Sequence, residues 1–467
     1  MSRRSFLKHS TLAAGVLTLG TAPAILSAEA KGDRVRCVQI GCGGRSHAHL
    51  DWVVNRSKEH VAAIVEPDEK RQASTLKWLA SHDVNTDKVK VYTDYRRLFD
   101  EIPNDFDAVF IATPNHHHAL ASMLAMNAGK GVYCEKPLCH DIAEARRLRA
   151  MARASKMPTQ MGNQGHCEEG YHRLCEYIRA GTIGRILETH SWTDRANGGE
   201  GPRPPTLPVP PGLHWDSWIG PAPYRDYHTD LHPHEWHGWY DFGNGSIGNM
   251  GCHVLDGVYW ALNLTHPTRI EAEQMRGGSD ERYPLGARIR WDCPVPGGDP
   301  VKVYWYEGLN ATTKDKPKGG LHAAVGKARN LPPLYHELLA KYDDESFENS
   351  GTLYVGEKGI IYTGCYGGRM HIVPWAKMKA TPAPPKTLPR PQNIMTDFLE
   401  ACRRGSTKTA ASFDYGARLT EFTLLANLAQ HVGPGRPVEW DGLAMRVTNI
   451  AELNDWVKRP YRPGWHA

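Results

Sequence analysis

Beyond residue 30 the chain has no apolar run long enough to cross a bilayer. It also lacks cysteine pairs at metal or redox spacing, and it shows no internal repeat. The formal charge is only +5 over 467 residues. Setting aside Arg3, Arg4, Lys8 and Glu29 leaves about +3, too little and too evenly spread for a nucleic-acid surface. The ten cysteines are scattered, and with 40% hydrophobic residues the chain can build ordinary cores. Buried thiols therefore account for Cys37, Cys42, Cys134 and Cys139 better than a disulfide framework does.

What is present begins with a leader. Ser2-Arg3-Arg4-Ser5-Phe6-Leu7-Lys8 precedes the apolar run Leu12–Leu26 and the small-residue site Ala28-Glu29-Ala30. This order of charge, apolar stretch and A-x-A site is that of an export peptide, and its arginine pair resembles the address of the twin-arginine pathway. Gly15, Gly20 and Pro23 weaken the alternative of a membrane anchor. Export after cytoplasmic folding predicts a periplasmic or otherwise exported protein.

From Arg34 to Gln164 strand and helix signals alternate. β-rich runs at 34–41, 60–66, 90–93, 107–113, 131–135 and 158–162 are separated by helical patterns at 46–55, 69–81, 117–128 and 142–154. Such βαβ alternation predicts a doubly wound parallel sheet. After Gly165 the pattern changes. A helix at 168–179 is followed by alternating runs at 185–192, 269–274, 287–291, 301–306, 352–355 and 359–363, then helices at 393–403 and 416–430. These predict an α+β domain with an open, largely antiparallel sheet. The expected division is a leader at 1–30, a nucleotide-binding domain at 31–164 and a substrate and oligomerisation domain at 165–467.

Gly41-Cys42-Gly43-Gly44-Arg45-Ser46 joins the first strand to the first helix. Gly41 and Gly43 permit a tight turn and close approach to a pyrophosphate, and Ser46 stands where a third glycine would be. Glu66 ends the second strand and can accept from a ribose 2′-hydroxyl. Its charge favours NAD over NADP, although Arg45 and Lys70 leave NADP open.

Thr113-Pro114-Asn115-His116-His117-His118 and Glu135-Lys136-Pro137 follow the fourth and fifth strands. Together with residues 41–46 they closely resemble the Gfo/Idh/MocA family of sugar and inositol oxidoreductases. The resemblance implies a Rossmann domain. It places Thr113, Pro114, Asn115, His118, Glu135 and Asn163 at the cofactor beside Gly41, Gly43, Gly44, Arg45, Ser46 and Glu66. It puts Lys136 between nicotinamide and substrate and implies a cis Lys136–Pro137 peptide. A lysine beside a cationic ring is expected to have a lowered pKa.

A second motif, Asn244-Gly245-Ser246-Ile247-Gly248-Asn249-Met250-Gly251-Cys252-His253, looks like the family's helix entry, in which an aspartate precedes a catalytic histidine by four positions. His253 inherits the role of general base. The aspartate is replaced by Asn249, and Asp256 is expected to share the face of His253 and to substitute for it.

The substrate side is read from Trp215, Trp218, Tyr224, Tyr227, His228 and the aromatic and histidine residues up to Tyr240. Flat rings suit the C–H faces of sugars, and imidazoles suit hydroxyls. Trp236, His237, Tyr240, Gln164, His166 and Arg195 are the expected substrate contacts, with Trp215 and Trp218 anchoring a loop. His232-x-His234-x-x-His237 raises a metal site, but its spacing fixes no ligand set, and no metal is expected. The leading expectation is an exported oxidoreductase acting on a sugar, glycoside or polyol with a retained cofactor, as a dimer or tetramer. Redox-neutral cleavage or epimerisation through transient oxidation, and a non-catalytic sugar receptor, are the alternatives.

Overall fold

Short runs rich in valine, isoleucine and alanine form the first sheet. In the computed structural model, which describes residues 34–295, 298–314, 316–317 and 323–467, these are β1 (Arg36–Ile40), β2 (His60–Val65), β3 (Lys90–Tyr92), β4 (Ala108–Ile111), β5 (Gly131–Glu135) and β6 (Thr159–Gly162). The leader at 1–30 lies outside the described residues. The strands run in the order β3-β2-β1-β4-β5-β6, and every neighbouring pair is parallel. All of β4, β5 and β6 is buried, as a parallel sheet covered on both faces requires.

The connecting helices are α1 (Ser46–Asp51), α2 (Glu69–Ala80), α3 (Tyr95–Glu101), α4 (Asn115–Asn127) and α5 (Ile142–Ser155). Local chemistry sets their starts. Asp68 accepts from the Lys70 amide at the head of α2, and Asp141 and Glu144 form a reciprocal capping box on α5. The helix expected over 46–55 is not uniform, because α1 widens into a π-helical turn over Trp52–Arg56.

The second sheet has nine strands: β7 (Ile186–Thr193), β8 (Arg269–Arg276), β9 (Gly286–Cys293), β10 (Val301–Gly308), β11 (Ser350–Gly356), β12 (Gly359–Gly364), β13 (His371–Val373), β14 (Val438–Asp441) and β15 (Arg446–Val447). Their order is β13-β12-β11-β7-β10-β9-β8-β14-β15. Only β7 and β10 pair in parallel, and the other pairs are antiparallel. The mostly antiparallel sheet is as expected. β13, β14 and β15, of three, four and two residues, are too short to show an alternating pattern.

The remaining α-helices among the described residues are α6 (Glu169–Arg179), α7 (Trp215–Ile219), α8 (Gly245–Val254), α9 (Asp256–Ala261), α10 (Pro333–Lys341), α11 (Trp375–Ala380), α12 (Ile394–Arg404), α13 (Phe413–Val432) and α14 (Asn454–Val457). α13 packs against α5, α8 and β8, joining the cores of the two sheets. α12 returns to the first sheet, where Phe398 meets the rings of Phe110 and Tyr133 at 5.5 and 5.8 Å. Near the chain end, the Arg96 guanidinium lies 3.6 Å from the centre of the Trp465 ring.

Candidate active site

The carboxyl ends of β1, β2, β4 and β5 open on one cavity of about 500 Å³. Its far wall comes from α8, from residues 232–237 and from Tyr366. A crevice at this edge is where open α/β sheets bind ligands.

Gly41 leaves β1 with φ +83°, and a β-carbon there would lie 2.7 Å from the Ala112 carbonyl oxygen, so the position admits only glycine. The loop is held by Glu66. Its two carboxylate oxygens accept from the amides of Cys42 (2.7 Å) and Asp68 (3.1 Å). Burial pushes the Glu66 carboxyl up, against these amide contacts. Ser46 closes the loop from within, donating to the Gly43 carbonyl at 2.6 Å, and does not reach the cavity wall. Gly41, Gly43, Gly44, Arg45 and Glu66 do.

Arg45 crosses to β5, and its Nε donates to Glu135 at 2.7 Å. His49 Nε2 lies 2.9 Å from the same carboxylate oxygen. Burial alone would raise the Glu135 carboxyl, but the Arg45 charge and the His49 contact outweigh it and hold the group well below the usual carboxylate range. Glu135 thus serves Arg45 and His49. Neighbouring Lys136, whose peptide to Pro137 is cis, turns to α8. Its Nζ donates to the Asn249 backbone carbonyl at 2.6 Å and to the Asn249 side-chain oxygen at 3.3 Å. Burial lowers the Lys136 pKa, and the Glu135 charge opposes that shift. Asn249 is itself fixed, donating to the Asn197 side-chain oxygen at 2.8 Å.

His253, also on α8, is buried, with Nδ1 3.2 Å from the Asn163 side-chain oxygen. Burial, reinforced by the Lys136 charge, pushes its pKa well below the ordinary value, so the ring is neutral at pH 7. Assigning the proton to Nδ1, which faces a carbonyl oxygen, leaves the Nε2 lone pair free to accept. Asn163, expected at the cofactor, is a partner of His253 and is not part of the cavity wall.

Thr113, Pro114, Asn115 and His118 line the cavity, and so do Gln164, Arg195, Trp236 and His237. Trp236 and His237 are stacked at 3.6 Å, and burial lowers the His237 pKa to about 3. Trp215 and Trp218 stack at 4.6 Å within an aromatic cluster, as expected of a loop anchor.

Besides Ser46 and Asn163, three expected site residues lie off the cavity wall. Asp256, three positions after His253, turns to His166 and Tyr415 instead of joining His253 at the cavity. Asp256 is fully buried, accepting from the Tyr415 hydroxyl and lying 3.1 Å from His166 Nδ1. That contact removes His166 from the cleft as well, where it stacks on Trp260 at 4.0 Å. Tyr240 packs instead against Tyr283 and Trp456 at 4.4 and 5.3 Å.

His232 faces Asp68 at 3.4 Å and His234 faces Glu235 at 3.6 Å. Among the described residues no group of three or more His, Cys, Asp and Glu side chains could hold a metal. The sequence reading missed Arg71, Tyr95, Met250 and Tyr366 as wall residues. Met250 comes with the α8 motif, whereas Arg71, Tyr95 and Tyr366 reach the cavity by fold-level contacts that no local motif announces.

The wall fits a dinucleotide. Its glycine edge leaves room for a phosphate backbone, with no atom within 4 Å of a β-carbon built at Gly44. Thr113 Oγ1, buried in the wall, has no hydrogen-bond partner among the described residues.

Comparison with known proteins agrees with this geometry. Residues 35–163 match the model described as an oxidoreductase family with an NAD-binding Rossmann fold, and residues 189–282 match the C-terminal alpha/beta domain of the same family. The chain is 30% identical over 151 residues to inositol 2-dehydrogenase of Corynebacterium glutamicum, covering 32% of this chain and 42% of that one. It is 27% identical over 199 residues to D-xylose 1-dehydrogenase (NADP(+)) of Hypocrea jecorina, covering 42% and 44%. These matches span less than half the length of either relative. Among solved structures, the WlbA dehydrogenase of Bordetella pertussis, in complex with NADH and UDP-GlcNAcA, superposes with a TM-score of 0.56 at 13% identity, covering 87% of this chain and 99% of that one.

Proposed function

The chain belongs to the Gfo/Idh/MocA oxidoreductase family, and from that premise we propose that it is an exported NAD(P)-dependent oxidoreductase acting on CH–OH groups of a sugar, glycoside or polyol. The observation that carries the reading is the meeting of Lys136, Asn249 and His253 in one cavity with the glycine edge of β1. On this reading residues 31–164 hold the nucleotide and residues 165–467 supply the substrate wall. Gly41, Gly43, Gly44 and Thr113 would hold the dinucleotide, with Glu66 fixing the loop they form. The Glu66 carboxylate favours NAD, and Arg71 beside Gly43 keeps NADP within the proposal.

When bound, the nicotinamide supplies two-electron exchange with a substrate carbon. The protein's own groups manage the proton. His253 Nε2 takes it from the substrate hydroxyl, and Asn163 holds the ring through Nδ1. Lys136, held by the Asn249 oxygens, lies in the same wall and orients that hydroxyl. Its buried, weakened ammonium can give up a proton more readily than a solvated one.

The Arg3-Arg4 leader supports export of a folded holoprotein. Soluble nucleotide is scarce outside the cytoplasm, so the cofactor would be retained and reset by a second substrate. A homo-oligomer built through the nine-stranded sheet is part of the same proposal.

Native mass spectrometry of the exported protein tests the first half, and the expected result is one dinucleotide per chain. Lys136→Ala, assayed with aldoses, glycosides and inositols, should lose at least about 100-fold in kcat. A wild-type protein that holds no dinucleotide, or a Lys136→Ala protein of undiminished turnover, overturns the reading.

A further inference from the structure

The turn Cys365–Gly367, between β12 and β13, carries Tyr366 in the left-handed region (φ 59°, ψ 19°). A tyrosine is disfavoured there, and such backbone outliers cluster at functional sites. The surroundings hold it in place. A β-carbon at Gly165 would lie 2.8 Å from Tyr366 Cα, and one at Gly170 would collide with the Gly367 carbonyl. The turn is therefore seated directly on the backbone that ends β6 and begins α6. Gly364 donates to the Gly368 carbonyl at 2.6 Å and closes it. From α6, Tyr171 donates to the His253 carbonyl at 2.5 Å, so the seat of the turn is tied to the proposed base.

The seating delivers one side chain to the cavity. The Tyr366 ring lines its wall and meets the His253 ring edge-on, centroids 4.6 Å apart at 68°. It is 40% exposed, while Gly165 beneath it and Gly367 after it are buried. Burial pushes its phenol up to about 12, so the hydroxyl is a neutral donor at neutral pH. Trp218 and Trp236 line the same cavity. Aromatic faces of this kind suit the C–H faces of a six-membered polyhydroxy ring and have no comparable fit to an open chain.

We propose that Tyr366 is a substrate-contacting catalytic residue, a ring platform and hydroxyl donor that the turn after β12 presents to a cyclic polyol or pyranose. This rests on the oxidoreductase reading above and adds to it the side chain that meets the substrate ring.

The test uses the full chain with saturating NAD and reads binding by calorimetry with myo-inositol, D-xylose and open-chain xylitol. Tyr366→Leu should weaken the ring compounds at least about tenfold. Tyr366→Phe, which keeps the ring, should weaken them about fivefold through the lost hydroxyl. Xylitol binding and NAD binding should stay within about twofold in both variants, and the kinetic effect should fall in KM rather than kcat. Ring binding unchanged by Tyr366→Leu, or equal losses for ring and open-chain compounds, overturns this inference alone. A wild-type protein that binds NAD but none of the sugars overturns the substrate reading beneath it.

Discussion

Lys136 and Asn249 are joined across the cavity, the amine donating to both carbonyl oxygens of the asparagine at 2.6 and 3.3 Å. A neutral amide stands where a carboxylate would stabilise the ammonium. The nearest acid, Glu135, is already shared by Arg45 and His49. Burial therefore dominates, and the lysine pKa is lowered.

Asn249→Asp should reverse that balance. A carboxylate at this distance favours the charged amine, so the Lys136 pKa rises by about 1 unit or more. In the proposed oxidation Lys136 orients the hydroxyl whose proton His253 takes, and the limb of the kcat pH profile that follows Lys136 ionisation should move to higher pH by that amount. A limb that stays in place would detach Lys136 from it.

Asp256→Asn tests the corrected placement of that carboxylate. Asp256 serves His166 and Tyr415 together, and an amide can accept on only one oxygen. Stability should fall by about 1–3 kcal/mol. The kcat pH profile should keep its shape, because Asp256 makes no contact with the cavity. Thermal unfolding and pH–rate curves read the two effects separately, and a displaced pH limb would return Asp256 to the proton path.

Glu307, on β10, is fully buried, accepting from Trp305 Nε1 and Gln430 Nε2, each at 2.7 Å. Burial pushes its carboxyl up from 4.5 to about 7, against those two hydrogen bonds. The folded state therefore holds the proton more tightly than the unfolded chain. Its contribution is fully present below about pH 4.5 and is lost as pH rises through about 7, on the order of 3 kcal/mol in all. Glu307→Gln should remove that slope. The substituted amide can donate to Gln430 Oε1, which has no partner now, once the Gln430 amide turns over. Calorimetric unfolding between these pH values, wild type against variant, measures it, and parallel curves would exclude Glu307 as the source.

The nucleotide half was legible because β1, β2, β4 and β5 are short, largely buried apolar runs and α2 and α5 carry their own caps at Asp68 and Asp141. Those signals are local. The glycine loop, Lys136 and His253 were legible for the same reason, sitting at element ends that motif spacing can locate. His166 and Asp256 were misplaced because both are polar and near the cleft in sequence, yet they satisfy one another in the interior. Only the tertiary packing of α9 against the segment after β6 reveals it. Tyr366 left no trace, since it meets His253 across more than a hundred residues of chain, on a turn whose seat is supplied by Gly165 and Gly170.

The return of α12 to the first sheet, with Phe398 on Phe110 and Tyr133, has a consequence for biosynthesis. A nascent chain would display these rings to solvent until Arg404, the last residue of α12, clears the ribosome. A premature stop before Ile394 would thus yield a sticky fragment instead of a smaller working nucleotide module.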